Sequence, residues 1–176
     1  MRHFLSIFSK VLFLLALVVA HFFLSYILPF PLNTVNIIFA SLMLFMLLSE
    51  SGTIVWMAFF THLCIELYSV SPFGVILFSS TISILFTYWL FQYFLSNRSW
   101  YSIVVLTFLS LFFYRFISLF LIASISFLGK GDPLPWSNIL ALAGWELFFT
   151  EIVVIVGYAI IPQLRKNFSP KHPKSL

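Results

Sequence analysis

The run IELYSVSPFGVILFSSTISILFTYWLFQYFL, Ile65 to Leu95, contains one acid, Glu66, and no other charged residue. From Phe73 to Leu95 it is apolar enough and long enough for an α-helix to cross the ~30 Å hydrocarbon layer of a bilayer. Pro72 and Gly74 stand at its start, and both residue types break helices and make turns. The run therefore reads as a membrane helix entered from a tight turn, with an acid held just ahead of that turn.

The rest of the chain has the same character. Its 176 residues are 62% hydrophobic and 8% charged, with a mean hydropathy of +1.10. A soluble domain of this length needs far more polar surface. The composition specifies an all-α polytopic membrane protein with six transmembrane helices, expected at about 11–28, 34–48, 53–68, 73–95, 101–128 and 138–161. Residues 1–176 form one integral membrane domain, ending in a short basic tail over 162–176. The second and third spans are short for a bilayer. They either cross a thinned region or form a hairpin inside the bundle, and a five-span reading would fuse them. All eight prolines fall at expected ends or in loops. Trp100 and Trp136 fall at expected water interfaces.

The net charge of +4 would suit nucleic acid, but the basic residues flank apolar segments, which marks topology instead. Arg2, Lys10, Arg98, Arg165, Lys166, Lys171 and Lys174 fall on one side of the six-span arrangement and Lys130 on the other. The positive-inside rule then places both termini in the cytoplasm. The N-terminal apolar segment has no Ala-x-Ala-like site and reads as an uncleaved first span. The sequon Asn97-Arg98-Ser99 falls on the cytoplasmic side, where it is not used. The single cysteine, Cys64, excludes an internal disulfide and a multi-cysteine zinc site, and it reads as a small packing residue.

Ionisable residues at depth are costly and mark candidate sites. Arg115 falls near the middle of span five, Glu146 and Glu151 in span six, and Glu66 near the outer end of span three. His62 precedes Glu66 by one helical turn and shares its face. Counting helical rise from each span's start puts Arg115 and Glu151 at similar depth, which predicts that they pair. A structural ion pair, a polar binding cavity and an ion pathway are the three readings of this cluster. No nucleophile–base set, metal-ligand set or cofactor motif is visible, so the chain reads as non-enzymatic. His21 and His62 read as satisfied histidines. Ser79, Ser83 and Thr87 on span four, and Thr107, Ser110, Tyr114 and Ser118 on span five, read as close-packing stripes. Ala16 and Ala20 make a small-xxx-small pair on span one.

In the turn itself, Ser71 is the expected N-cap of helix four and Pro72 its first-turn residue. Gly74 is expected to leave room for a close approach, and Glu66 to be stabilised by a helix N-terminus or a cation. The order Glu66-Leu67-Tyr68-Ser69-Val70-Ser71-Pro72-Phe73-Gly74 resembles the Asp-x-x-Ser-x-x-Pro-x-Gly run in the central hairpin of the rod shape-determining protein MreD family, with Glu in place of Asp. Chain length, basic cytoplasmic ends and the loop before span five are also similar. The resemblance implies a scaffold subunit of the cell-elongation and peptidoglycan-synthesis machinery in the bacterial inner membrane. Its implied partners are an MreC-like protein and, through it, MreB, RodA and a class B penicillin-binding protein. Glu66, Ser69, Pro72 and Gly74 would form the partner-contact motif, with His62, Arg115, Glu146 and Glu151 as a separate polar cluster. The MreD bundle is similar to the six-helix substrate-binding subunit of energy-coupling-factor vitamin transporters, which makes that subunit the rival function. Ala16 and Ala20 fit it, as would a cavity lined by Glu66, Arg115 and Glu146.

Overall fold

A computed structural model of the chain describes residues 2–49, 52–94, 99–130 and 136–168, with side chains over 8–48, 52–94, 99–128 and 136–160. It has six α-helices: α1 Arg2–Ile27, α2 Ile37–Ser49, α3 Thr53–Glu66, α4 Val75–Tyr93, α5 Trp100–Ile125 and α6 Trp136–Phe168. A 3-10 turn, Leu32–Thr34, precedes α2, and a π-helical turn, Ser126–Lys130, follows α5. Among the described residues there is no strand. In hydrocarbon a backbone must satisfy its own polar groups, and helices do so within one segment.

Four stretches are long and apolar enough to cross a bilayer: Phe8–Ile27, Val75–Tyr93, Trp100–Leu128 and Trp136–Ile160. The chain is a multi-pass helical membrane protein. α2 and α3 are separate helices of 13 and 14 residues, shorter than the roughly 20 a straight crossing requires. α6 continues beyond the expected end at Ile161, through Pro162, to Phe168. A proline removes one intrahelical hydrogen bond, and here that loss does not stop the helix. Arg98, Asp132, Lys171 and Lys174, and with them part of the charge asymmetry, lie outside the described residues.

α2 is the centre of the bundle. It packs against α1, α3, α5 and α6, and Ile38, Phe39, Ala40, Leu42 and Met43 are fully buried. A helix that is apolar all round has no solvent face to present, so burial on all sides is its stable place. α1 is peripheral by contrast. Phe8, Leu12, Leu15, Val19 and Phe23 stand exposed at helical spacing, a stripe suited to lipid. Ala16 also faces outward and Ala20 is half-buried.

The hydroxyl stripes meet where α4 packs on α5. Ser79, Ser83, Thr87, Thr107 and Ser110 are all fully buried. Ser83 Oγ donates to the Ser110 carbonyl across the interface. Thr87 Oγ1 donates to Ser83 O and Thr107 Oγ1 to Ile103 O, each at 2.8 Å. Small side chains let the two backbones approach, and these three donors are each satisfied by a carbonyl, while Ser110 Oγ meets Ser83 Oγ at 3.3 Å. Gly157 does the same for α6 and α2, since a Cβ there would lie 2.5 Å from Leu44 Cδ1.

Candidate functional site

The turn between α3 and α4 is built around Glu66, which is 3% exposed. Its Oε1 accepts from the Gly74 N–H at 2.9 Å and its Oε2 from the Leu77 N–H. Leu77 is the third residue of α4, and a helix begins with N–H groups that lack intrahelical partners. Glu66 is thus the cap of α4, supplied from the preceding helix rather than from the adjoining loop. Negative charge at this end also complements the helix dipole.

Three details of the turn differ from expectation. The N-cap residue is Gly74, at φ +98°, where Ser71 was expected. Pro72 lies before the helix rather than in its first turn, and its carbonyl accepts from the Val75 N–H at 3.3 Å. Gly74 is needed for its left-handed backbone, not for close packing, because a Cβ there would meet nothing within 4 Å. Ser69 and Ser71 brace the loop. Their hydroxyls are hydrogen-bonded to each other, and the Ser71 N–H donates to Ser69 Oγ at 3.0 Å. The turn holds Leu67, Tyr68, Val70 and Phe73 outward, all at least two-thirds exposed. The Tyr68 ring meets Phe22 of α1 edge-on at 5.6 Å.

The second site lies deeper, where the connection from α1 to α2 enters the bundle. The Asn36 N–H donates to Thr150 Oγ1 at 2.9 Å. Thr150 is fourteen residues beyond Trp136, about 20 Å along α6 at 1.5 Å per residue. α2 therefore begins deep inside the bundle, which accounts for its short length. Asn36 Oδ1 accepts from the Phe39 N–H at 3.2 Å, as an N-cap side chain does. Its Nδ2 donates to Glu146 Oε1 at 2.8 Å. The other carboxylate oxygen, Oε2, accepts from Arg115 Nε in an ion pair.

Arg115 therefore pairs with Glu146, and the expected Arg115–Glu151 pair does not form. Glu146 and Glu151 are five residues apart, about 140° around the helix, so one arginine cannot meet both. The depth difference that favoured Glu151 is within the span of an extended arginine side chain. Both oxygens of Glu151 are buried without a hydrogen-bond partner among the described residues. His62 is separate again. Its Nδ1–H donates to the Ala58 carbonyl at 2.8 Å, and its ring packs on Phe39 and Tyr114. Glu66 does not line the polar cavity beside Arg115, contrary to expectation.

That cavity, of about 270 Å³, lies between α1, the α1–α2 connection, α5 and α6, with His21, Ser25, Asn33, Asn36, Arg115 and Glu146 on its walls. His21, expected to be satisfied, has its Nδ1 buried without a partner, as is Asn33 Oδ1, among the described residues. Asn36 and Thr150 escaped the sequence reading. The available signal was an Asn immediately before an apolar run, the pattern of a helix N-cap. Among the described residues no three His, Cys, Asp or Glu side chains are placed to hold a metal ion. No family model, curated protein or solved structure matches the chain.

Proposed function

We propose that the chain is an MreD-like, non-enzymatic scaffold subunit of the cell-elongation machinery, seated in a bacterial inner membrane with both termini cytoplasmic. One observation carries the reading: Glu66, Ser69 and Gly74 of the resembling motif each have a distinct role in one braced turn. Glu66 caps α4 across the turn, Ser69 braces the loop, and Gly74 supplies a left-handed residue. Such a turn holds Leu67, Tyr68, Val70 and Phe73 in a fixed apolar display, which suits a partner contact more than a ligand pocket. An MreC-like protein is the proposed partner, with MreB, RodA and a class B penicillin-binding protein assembled through it.

The rival, a substrate-binding subunit of an energy-coupling-factor vitamin transporter, is favoured by the polar cavity. Two observations count against it. The cavity, at about 270 Å³, is below the roughly 300–1,000 Å³ usual for small-molecule pockets. Glu66, expected on its wall, serves the turn instead.

The test is co-purification with an MreC-like protein from the same cell. Gly74→Val forces a β-branched residue into a left-handed conformation, and Val70→Asp charges the display without straining the backbone. Both are expected to reduce partner recovery at normal membrane levels. Full recovery with both variants, together with saturable vitamin binding by the purified chain, would sink the scaffold in favour of transport.

A further inference from the structure

We infer that the cavity between α1, the α1–α2 connection, α5 and α6 is a binding site for a phosphate group that carries a neighbouring hydroxyl, as a glycerophosphate or a phosphatidylglycerol headgroup does. The inference is independent of the scaffold reading, since the cavity and the α3–α4 turn share no residue.

The walls show what is missing. A guanidinium has five N–H donors. Arg115 uses Nε for Glu146, and its side chain, 35% exposed, lines the cavity. Its guanidinium also lies over the Tyr114 ring, 5.4 Å from the centroid, which leaves the Nη edge to meet a ligand. Glu146 is shared, because its other oxygen accepts from Asn36 Nδ2. Charge-assisted donors in forked geometry select carboxylate or phosphate. Among the described residues, two other wall atoms lack a partner: Asn33 Oδ1, a buried acceptor, and His21 Nδ1, a buried ring nitrogen. A bare anion would leave Asn33 unsatisfied, whereas an anion with an adjacent O–H completes both walls. Buried polar atoms left unpaired are costly, so two of them on one cavity, beside a partly exposed guanidinium, point to an occupant. The volume of about 270 Å³ admits a headgroup-sized unit. An intramembrane arginine that remains one-third exposed is also stabilised by a phosphate beside it.

The lipid and the soluble molecule offer the same chemistry, and the experiment separates them. The purified full-length chain is placed in nanodiscs of phosphatidylglycerol or of phosphatidylcholine, and bound lipid is counted by native mass spectrometry. In parallel, glycerol phosphate is titrated by calorimetry into protein in phosphate-free detergent. Selective one-to-one retention of phosphatidylglycerol identifies a lipid site, and saturable glycerol phosphate binding without it identifies a soluble ligand. Either supports the inference. Arg115→Lys keeps a cation for Glu146 but loses the fork, and Asn33→Ala removes the unpaired acceptor. Each is expected to weaken binding about 10- to 100-fold, the loss that follows removal of one charge-assisted or buried hydrogen bond. Asn33→Ala leaves the ion pair untouched and so remains informative if Arg115→Lys does not fold. No binding of either probe by the wild-type chain overturns the inference and makes the cavity a water pocket. Equal binding by Asn33→Ala overturns it as well, because the bound group is then elsewhere.

Discussion

Replacing Glu66 tests the turn most directly, because its carboxylate holds two backbone N–H groups of α4. Removing an exposed N-cap side chain costs about 1 kcal/mol. Hydrogen bonds to a charged group contribute about 1.5–3 kcal/mol each where water is excluded. The acid is buried, but the Gly74 and Leu77 residues it serves are half-exposed, so water recovers part of the loss. Glu66→Ala should therefore cost about 2–4 kcal/mol. Glu66→Gln keeps one acceptor and turns an amide NH2 toward the other N–H, for about 1.5–3 kcal/mol. Glu66→Asp keeps the charge but is one methylene short, so it retains one bond and costs about 1–2 kcal/mol. Denaturant titration in mild detergent, followed by far-UV circular dichroism, gives the order, and amide exchange at Leu77 should quicken in the same order. Glu66→Ala within about 0.5 kcal/mol of wild type, a surface-substitution effect, would refute the assignment of Glu66 as the cap. So would Gln behaving as well as Glu.

Two other expectations concern the bundle. Arg115→Leu should cost about 3–5 kcal/mol by leaving Glu146 unpaired, and the double change with Glu146→Leu should recover about 0.5–3 kcal/mol of that as coupling. The same cycle with Glu151→Leu should be additive, and the two cycles together check the pairing by denaturant titration. Gly157→Ala places a Cβ 2.5 Å from Leu44 Cδ1, the tip of a half-buried side chain that can turn aside, and should cost about 1 kcal/mol or less, recovered by Leu44→Ala. Gly144→Ala meets nothing within 4 Å and should be neutral or stabilising by up to about 1 kcal/mol, measured in the same assay.

Much of the architecture is legible in the sequence because bilayer length and proline placement act locally. The breaks at Pro72–Gly74 and Gly52 and a helix-terminus role for Glu66 follow from neighbouring residues. What the sequence conceals depends on rotation about a helix and on long-range contact. Counting rise fixes how deep Glu146 and Glu151 lie but not which way they point, and that angle chose Arg115's partner. Asn36 offers an N-cap pattern, but its contacts with Glu146 and Thr150 appear only when α6 lies against it, so the deep start of α2 left only the shortness of that span as a trace. At Gly74 a small residue between two spans suggested close packing, whereas the backbone angle is what demands it.

The deep start of α2 also sets an order of assembly. Asn36 is completed by Glu146 and Thr150, 110 and 114 residues later in the chain. At about 5–20 residues per second of synthesis, Asn36 waits roughly 6–23 seconds for the groups that complete it. During that interval the Asn36 N–H lies in or near the hydrocarbon without the Thr150 acceptor it later has, a state that unsatisfied backbone makes costly. The centre of the bundle is thus finished last, when the sixth helix closes over a core helix laid down near the beginning. An N-terminal fragment lacking α6 contains most of the buried residues and yet lacks the pieces that hold its central helix in register.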